Sequence, residues 1–305
     1  MATGTVTDAP ASAGLPPRRR RPRQHLLSDG ATARTPELVM RYLLLLCVVV
    51  ISIGPFLWQL STSLKGVGEN PYSSPPQFLP SDPTLANYTA VTDVIPVWSY
   101  IGNSLFVAFF NVSLSVVGCA MAGYALARLR FRGRLIALGI FGATLLIPQE
   151  SSMIALTQVV NAMGLGNTLV AVFLPTMMSA ISVLLMWNAF LAIPREIDEA
   201  ALMDGATVWQ RFLRLGLPAV KGTVAVVALL AFMGSWNDFL WPLLILSDPD
   251  KYTLTVGLNY LQGTFADNPQ VVAAGTIIAV LPLVVLFLAL QRVFFRGVAE
   301  GGVKE

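Results

Sequence analysis

Long apolar blocks separated by short polar runs make up most of this chain. A bilayer core of about 30 Å takes about 20 mostly apolar residues in a helix. That yardstick finds six blocks, near 39–62, 99–127, 135–156, 168–192, 222–246 and 271–293. Pro55, Pro148, Pro175, Pro242 and Pro282 fall inside them, tolerable as kinks because neighbouring helices re-satisfy the freed carbonyls. The pattern predicts an all-α integral membrane protein with six transmembrane helices over 39–305. Residues 1–38 hold PPRRRRPRQ and show no apolar periodicity, which predicts a disordered basic arm.

One polar interruption differs from the rest. PREIDEAALMD, 194–204, begins with a proline suited to a first helical position and places Glu196, Asp198 and Glu199 where acids favour a helix N-terminus. Gly205 can end that turn in a left-handed conformation. A second short helix is expected from near Ala206, with Val208, Phe212 and Leu215 at i, i+4 and i+7 as one apolar stripe, and Pro218 stopping it. The result is a bent knob over 194–218. Such a stripe serves lipid headgroups or a protein groove equally well, and the acids at 196–204 favour a protein.

Composition and charge sharpen this picture. Charged residues are 12% of the chain, about half the ~25% usual in soluble proteins, and the mean hydropathy is +0.66. Arginine and lysine gather in the arm, in RLRFRGR (128–134), in the 194–221 loop and in the tail, whereas the other loops share only Lys65 and Lys251. With six spans, both termini, the arginine loop and the knob are therefore expected in the cytoplasm. For the arm, attraction to anionic lipid is expected ahead of nucleic acid.

Cys47 and Cys119 sit in apolar blocks and His25 in the arm, so neither a disulfide framework, a metal site nor histidine catalysis is supported. A built-in ATPase needs a glycine-rich loop ending Gly-Lys-Ser/Thr. Lys65, Lys221, Lys251 and Lys304 follow Leu64, Val220, Asp250 and Val303, so there is no P-loop. Asp238 is the only acid well inside a block, with Glu150 near the end of the third. That is thin support for an ion-coupled carrier, which stays open as a distant alternative.

The knob resembles the EAA loop of the inner-membrane subunits of binding-protein-dependent ABC importers, through Glu199, Ala200, Ala201, Asp204, Gly205, Leu217 and Pro218. The stretches SLFVAFFNVSLSVVGCAMAGYALARLRFRGR (104–134), GLGNTLVAVFLP (164–175), IPREIDEAALMDGA (193–206), GSWNDFLWPLLILSDPDKYTLTVGL (234–258) and QRVFFRGVAEGGVKE (291–305) are similar to the maltose-permease type of carbohydrate importer subunit. One departure is MWNAFLAIPRE, where family members often carry an aromatic and basic run.

This resemblance implies a type I ABC importer transmembrane domain in a bacterial inner membrane, a translocation subunit and not an enzyme. It implies a second homologous permease, two copies of a cytoplasmic ATPase that binds ATP and Mg, and an extracytoplasmic sugar-binding protein, with no cofactor in this chain. Glu199 would anchor the loop on the ATPase, Ala200 and Ala201 would permit close approach, and Gly205 would set the bend. Sugars need stacking faces and hydrogen bonds. Trp236, Asn237, Asp238, Asn103 and Asn111 are the candidates for that path, with Asn237 and Asp238 first. Interhelical hydrogen bonding and tryptophan anchoring are the competing account of each. The implied cargo is a di- or oligosaccharide, with glycerol-3-phosphate or an amino sugar as alternatives.

Overall fold

The computed structural model describes Gly4 and residues 35–302 except Val67, Pro76, Ala266 and Asp267, with side chains over 38–289. The arm expected over 1–38 therefore lies outside the described residues up to position 34, Gly4 apart, as do the side chains of the closing QRVFFRGVAEGGVKE run. Residues 35–38 are already helical, because a proline at 36 falls in a first turn, where no backbone N–H is needed. Among the described residues every regular element is helical and none is a strand.

Contacts divide the chain into Met1–Gly54 and Pro55–Glu305. The first unit contributes the leading part of α1, Thr35–Ser63, which carries Pro55 inside it. The second holds α2 (Ala86–Val94), α3 (Val97–Arg128), α4 (Arg134–Thr144), α5 (Gln149–Ala162), α6 (Leu169–Phe173) and α7 (Ala180–Leu191). It continues with α8 (Arg195–Met203), α9 (Val208–Ala219), α10 (Lys221–Asn237), α11 (Leu240–Ile245), α12 (Leu254–Thr264) and α13 (Pro269–Gly302).

Among the described residues, three stretches are long and apolar enough to cross a membrane as single helices, Leu38–Ser63, Val97–Arg128 and Pro269–Ala289. The other three apolar blocks are interrupted. The third bends by 107° between α4 and α5, at Pro148, whose ring and missing N–H oppose a continuous helix. The fourth breaks between Phe173 and Ala180, around Pro175, and the fifth between Asn237 and Leu240, where Asp238 is extended at φ −66° and ψ 124°. Backbone groups freed inside a bilayer must be met by protein. Asn111 Nδ2 reaches Phe173 O at 3.5 Å and Thr176 Oγ1 at 2.9 Å, and Thr255 Oγ1 donates to Asp238 O at 2.6 Å.

Helix α3 is the spine of the second unit. A Cβ added at Gly123 would lie 2.6 Å from Met186 Cβ and 2.7 Å from Trp187 N, so α3 and α7 touch backbone to backbone. Around that contact Cys119, Tyr124, Phe190, Phe212, Val220 and Val227 form one buried cluster. A second cluster joins Val91, Tyr100, Trp236, Leu261 and Ala274, and a third joins Val107, Val160, Phe173, Trp241 and Ile245. The first carries the polar loop between α7 and α10, and the third backs a cavity.

Candidate functional site

The loop forms two helices turned away from the helices that deliver them. The chain bends by 73° from α7 into α8 and by 81° from α9 into α10. Pro194 precedes α8, Glu196 and Asp198 lie in its first turn, and Asp204 closes it. Gly205 then takes φ +77°. Its N–H donates to Leu202 O at 3.1 Å and that of Ala206 to Ala201 O at 2.9 Å, the paired bonds of a Schellman C-cap. Thr207 starts the next helix at once with a capping box. Its N–H donates to Gln210 Oε1 at 2.8 Å and Gln210 N–H to Thr207 Oγ1 at 3.3 Å. The two caps satisfy both helix ends across the four residues Asp204–Thr207, so the angle is fixed by local hydrogen bonding.

One side-chain contact braces the elbow internally, and a second ties its entry to the spine. Arg211 Nη1 lies 3.2 Å from Asp198 Oδ2, tying α9 to α8. Arg128, the last residue of α3, donates to Phe190 O at 3.0 and 2.6 Å and also to Ile193 O. A guanidinium thus gathers carbonyls at the end of α7, where the helix dipole favours a cation.

The apolar stripe divides differently from its sequence spacing. Residues Arg211–Gly216 form a π-turn, with Leu217 N–H bonded to Phe212 O. The extra residue in that turn offsets the faces before and after it, and Pro218, lacking an N–H, leaves the local ladder free to widen. Phe212 is buried, its ring 5.1 Å from that of Tyr124. Gly216 is buried too, where a Cβ would meet Phe190 at 3.2 Å and Tyr124 at 3.4 Å. Val208 and Leu215 are largely exposed, together with Leu202, Trp209 and Leu213, and Met203 is 88% exposed. Glu199, Ala200 and Asp204 are exposed and Ala201 half-buried. Pro218 does not end the helix, which runs to Ala219 before Val220 breaks it.

On the spine's other flank, a cavity of about 660 Å³ opens between α3, α5, the break before α7 and the break after α10. Asn111, Asn237 and Asp238 line it, joined by Glu150, Gln149 and Ser182. Among the described residues no lysine, arginine or histidine lines it. Asp238 accepts from Trp241 N–H at 3.4 Å and Asn237 donates to Met233 O at 2.9 Å.

A family described as binding-protein-dependent transport system inner membrane component matches residues 38–300. The chain belongs to that family. The permease is 36% identical over 228 residues to the arabinooligosaccharides transport system permease protein AraQ of Halalkalibacterium halodurans, spanning 74% of this chain and 82% of that one. It is 32% identical over 286 residues to the galactooligosaccharides transport system permease protein GanQ of Bacillus subtilis, spanning 92% and 100%. A chain of a bacterial ABC transporter involved in the import of the acidic polysaccharide alginate superposes with a TM-score of 0.73 at 24% identity, over 83% of this chain and 95% of that one. The fold is that of a type I ABC importer membrane domain.

Within the permease, the residues named for a cargo path separate into two groups. Asn111, Asn237 and Asp238 share the large cavity, whereas Asn103 and Trp236 do not line it. Asn103 Nδ2 donates to Asp250 O and Tyr252 O, both at 3.0 Å, and so braces the loop after α11. Trp236 is buried, stacks on Phe232 at 5.6 Å and donates to Ala279 O at 3.2 Å. Trp241 is 1% exposed and donates to Ala171 O at 3.1 Å, which makes it a packing residue. Gln149 and Ser182 line the cavity without having been singled out. The signal was available in Pro148, since a helix restarting after it turns its first residues toward the break. No group of three or more histidines, cysteines or acids that could hold a metal occurs among the described residues.

Proposed function

We propose that the permease is the membrane-spanning subunit of an ATP-driven, binding-protein-dependent importer of di- or oligosaccharides, with the elbow at 194–218 as its joint to the ATPase. The observation that carries this is the elbow itself: a doubly capped bend, clamped to α3 and α7, that presents Glu199, Leu202, Met203, Trp209 and Leu213 outward. A rigid joint with an apolar face suits a groove on a partner, and ATP-driven closure there would rotate spans as rigid bodies. ATP and Mg belong to the two ATPase copies, and a second homologous permease completes the path. The arginine distribution supports a cytoplasmic side for both termini and the elbow.

Sugar as cargo is supported by relatives named for arabinooligosaccharides, galactooligosaccharides and, in Streptomyces coelicolor, diacetylchitobiose. A further chain of the same fold, at a TM-score of 0.57, belongs to an alginate transporter in complex with an alginate pentasaccharide-bound periplasmic protein. An extracytoplasmic sugar-binding protein is the corresponding partner here. The cavity favours a second cargo among the alternatives. Glu150 and Asp238 line it without a cation, which suits an amino sugar and disfavours glycerol-3-phosphate.

The test is uptake into proteoliposomes holding both permeases and the ATPase, with the binding protein outside. Uptake is expected to need internal ATP, to survive collapse of ion gradients and to fall in Glu199→Ala. Uptake that follows an ion gradient without ATP would make the chain a secondary carrier and end this reading.

A further inference from the structure

The elbow closes on a small cavity that the coupling role leaves unexplained. It measures about 190 Å³ and lies where the end of α3 meets α8 and α9. Its polar lining is Tyr124, Arg128, Asp198, Arg211 and Arg214, so three guanidiniums stand against one carboxylate. Asp198 is engaged by Arg211 Nη1, and Arg128 by the carbonyls of Phe190 and Ile193. Two donors remain unpaired. Arg211 Nε and Tyr124 Oη are both buried without a hydrogen-bond partner, and Tyr124 as a whole is only 5% exposed. Arg214 is exposed and forms no ion pair among the described residues.

Buried donors are costly to leave without acceptors, and a surplus of guanidinium calls for an anion. Phosphate oxygens answer both needs, since guanidinium and phosphate match in geometry and charge. The rest of the wall is apolar, with Ile193, Ile197 and Leu215. A free phosphate ion would leave that wall uncovered, whereas a phospholipid brings acyl chain and phosphate together. We propose that this cavity binds the phosphate of an anionic phospholipid, with Arg211, Arg214 and Tyr124 donating to its oxygens and the acylglycerol lying against Ile197 and Leu215. The site requires only that the chain sits in a bilayer with the elbow at the bilayer surface. It stands whether or not the elbow grips an ATPase.

The full-length chain, reconstituted in phosphatidylcholine nanodiscs with a minority of phosphatidylglycerol, is stripped in detergent and its retained lipids are counted by native mass spectrometry. Wild type is expected to keep a phosphatidylglycerol. Arg214→Gln and Tyr124→Phe are each expected to lower retention about fivefold. Both leave the Asp198–Arg211 pair and the Arg128 clamp in place, and Arg214 is exposed, so its removal keeps the test valid if Tyr124→Phe were to misfold. Arg132→Gln removes the same charge from the neighbouring turn, outside the cavity, and is expected to retain lipid as wild type does. Equal loss in Arg132→Gln would reduce the effect to general surface attraction, and equal retention of phosphatidylcholine or full retention in Arg214→Gln would also overturn the proposal. Displacement by millimolar inorganic phosphate would assign the site to the free ion and remove the lipid.

Discussion

Gly205 separates backbone strain from packing. Its φ is +77°, yet a Cβ placed there meets nothing within 4 Å. Any penalty on substitution must therefore come from the left-handed conformation. That conformation costs an ordinary L residue about 1–2 kcal/mol, less for asparagine, whose side chain bonds locally, and more for a β-branched residue. The bonds at stake are Gly205 N–H to Leu202 O and Ala206 N–H to Ala201 O. Gly205→Asn should therefore cost less than Gly205→Ala, and Gly205→Val most. At Ala206, a cost of about 1–2 kcal/mol reduces amide protection about 5- to 30-fold. Hydrogen–deuterium exchange across 200–212 reads it directly, and on the coupling proposal sugar uptake per ATP falls in the same order. Size alone would rank alanine ahead of the larger asparagine. That order, or an unchanged protection in all three variants, would refute the strain argument.

Three other outcomes follow from the contacts. Glu69 accepts backbone N–H bonds from Asp82 and Ser81, which hold its carboxylate below the usual range. A depressed pKa stabilises above the unfolded value and is lost as pH falls through the folded one. The turn at Ser81 and Asp82 should thus be held at neutral pH and loosen below about pH 4, and Glu69→Gln should loosen it at neutral pH; exchange over 78–84, corrected for intrinsic rate, checks both. Arg128→Gln should cost about 2 kcal/mol or more through the carbonyls of Phe190 and Ile193, with Arg128→Lys recovering part, read as a fall in melting temperature in detergent. Replacing Glu150 and Asp238 by their amides should lower uptake of an amino sugar severalfold relative to a neutral oligosaccharide in a competition assay, and an unchanged ratio would remove these carboxylates from cargo selection.

The elbow was legible because its signals are local. A proline, acids in a first turn and a glycine after the last one dictate caps without tertiary help. Its apolar faces were not, since the spacing of Val208, Phe212 and Leu215 assumes a uniform helix, and the π-turn before Pro218 sends Phe212 to the core and leaves Trp209 and Leu213 outside. Hydropathy found the apolar blocks but not the interruptions inside them. It sums side chains and is blind to whether Phe173 O or Asp238 O finds a donor. The roles of Asn103 and Trp236 depend on partners far along the chain, Asp250 and Ala279, which no single-sequence pattern supplies.

The meeting of α3 and α7 carries a genetic consequence. A methyl added at Gly123 strikes Met186 Cβ and Trp187 N, atoms that belong to the frame of the neighbouring helix and not to a side chain that can be trimmed. Shortening Met186 to alanine leaves the offending carbon where it is. A screen for suppressors of Gly123→Ala should therefore recover nothing at position 186 except glycine, and even that leaves the clash with Trp187 N. The two positions form a lock that drift in sequence cannot pick one change at a time.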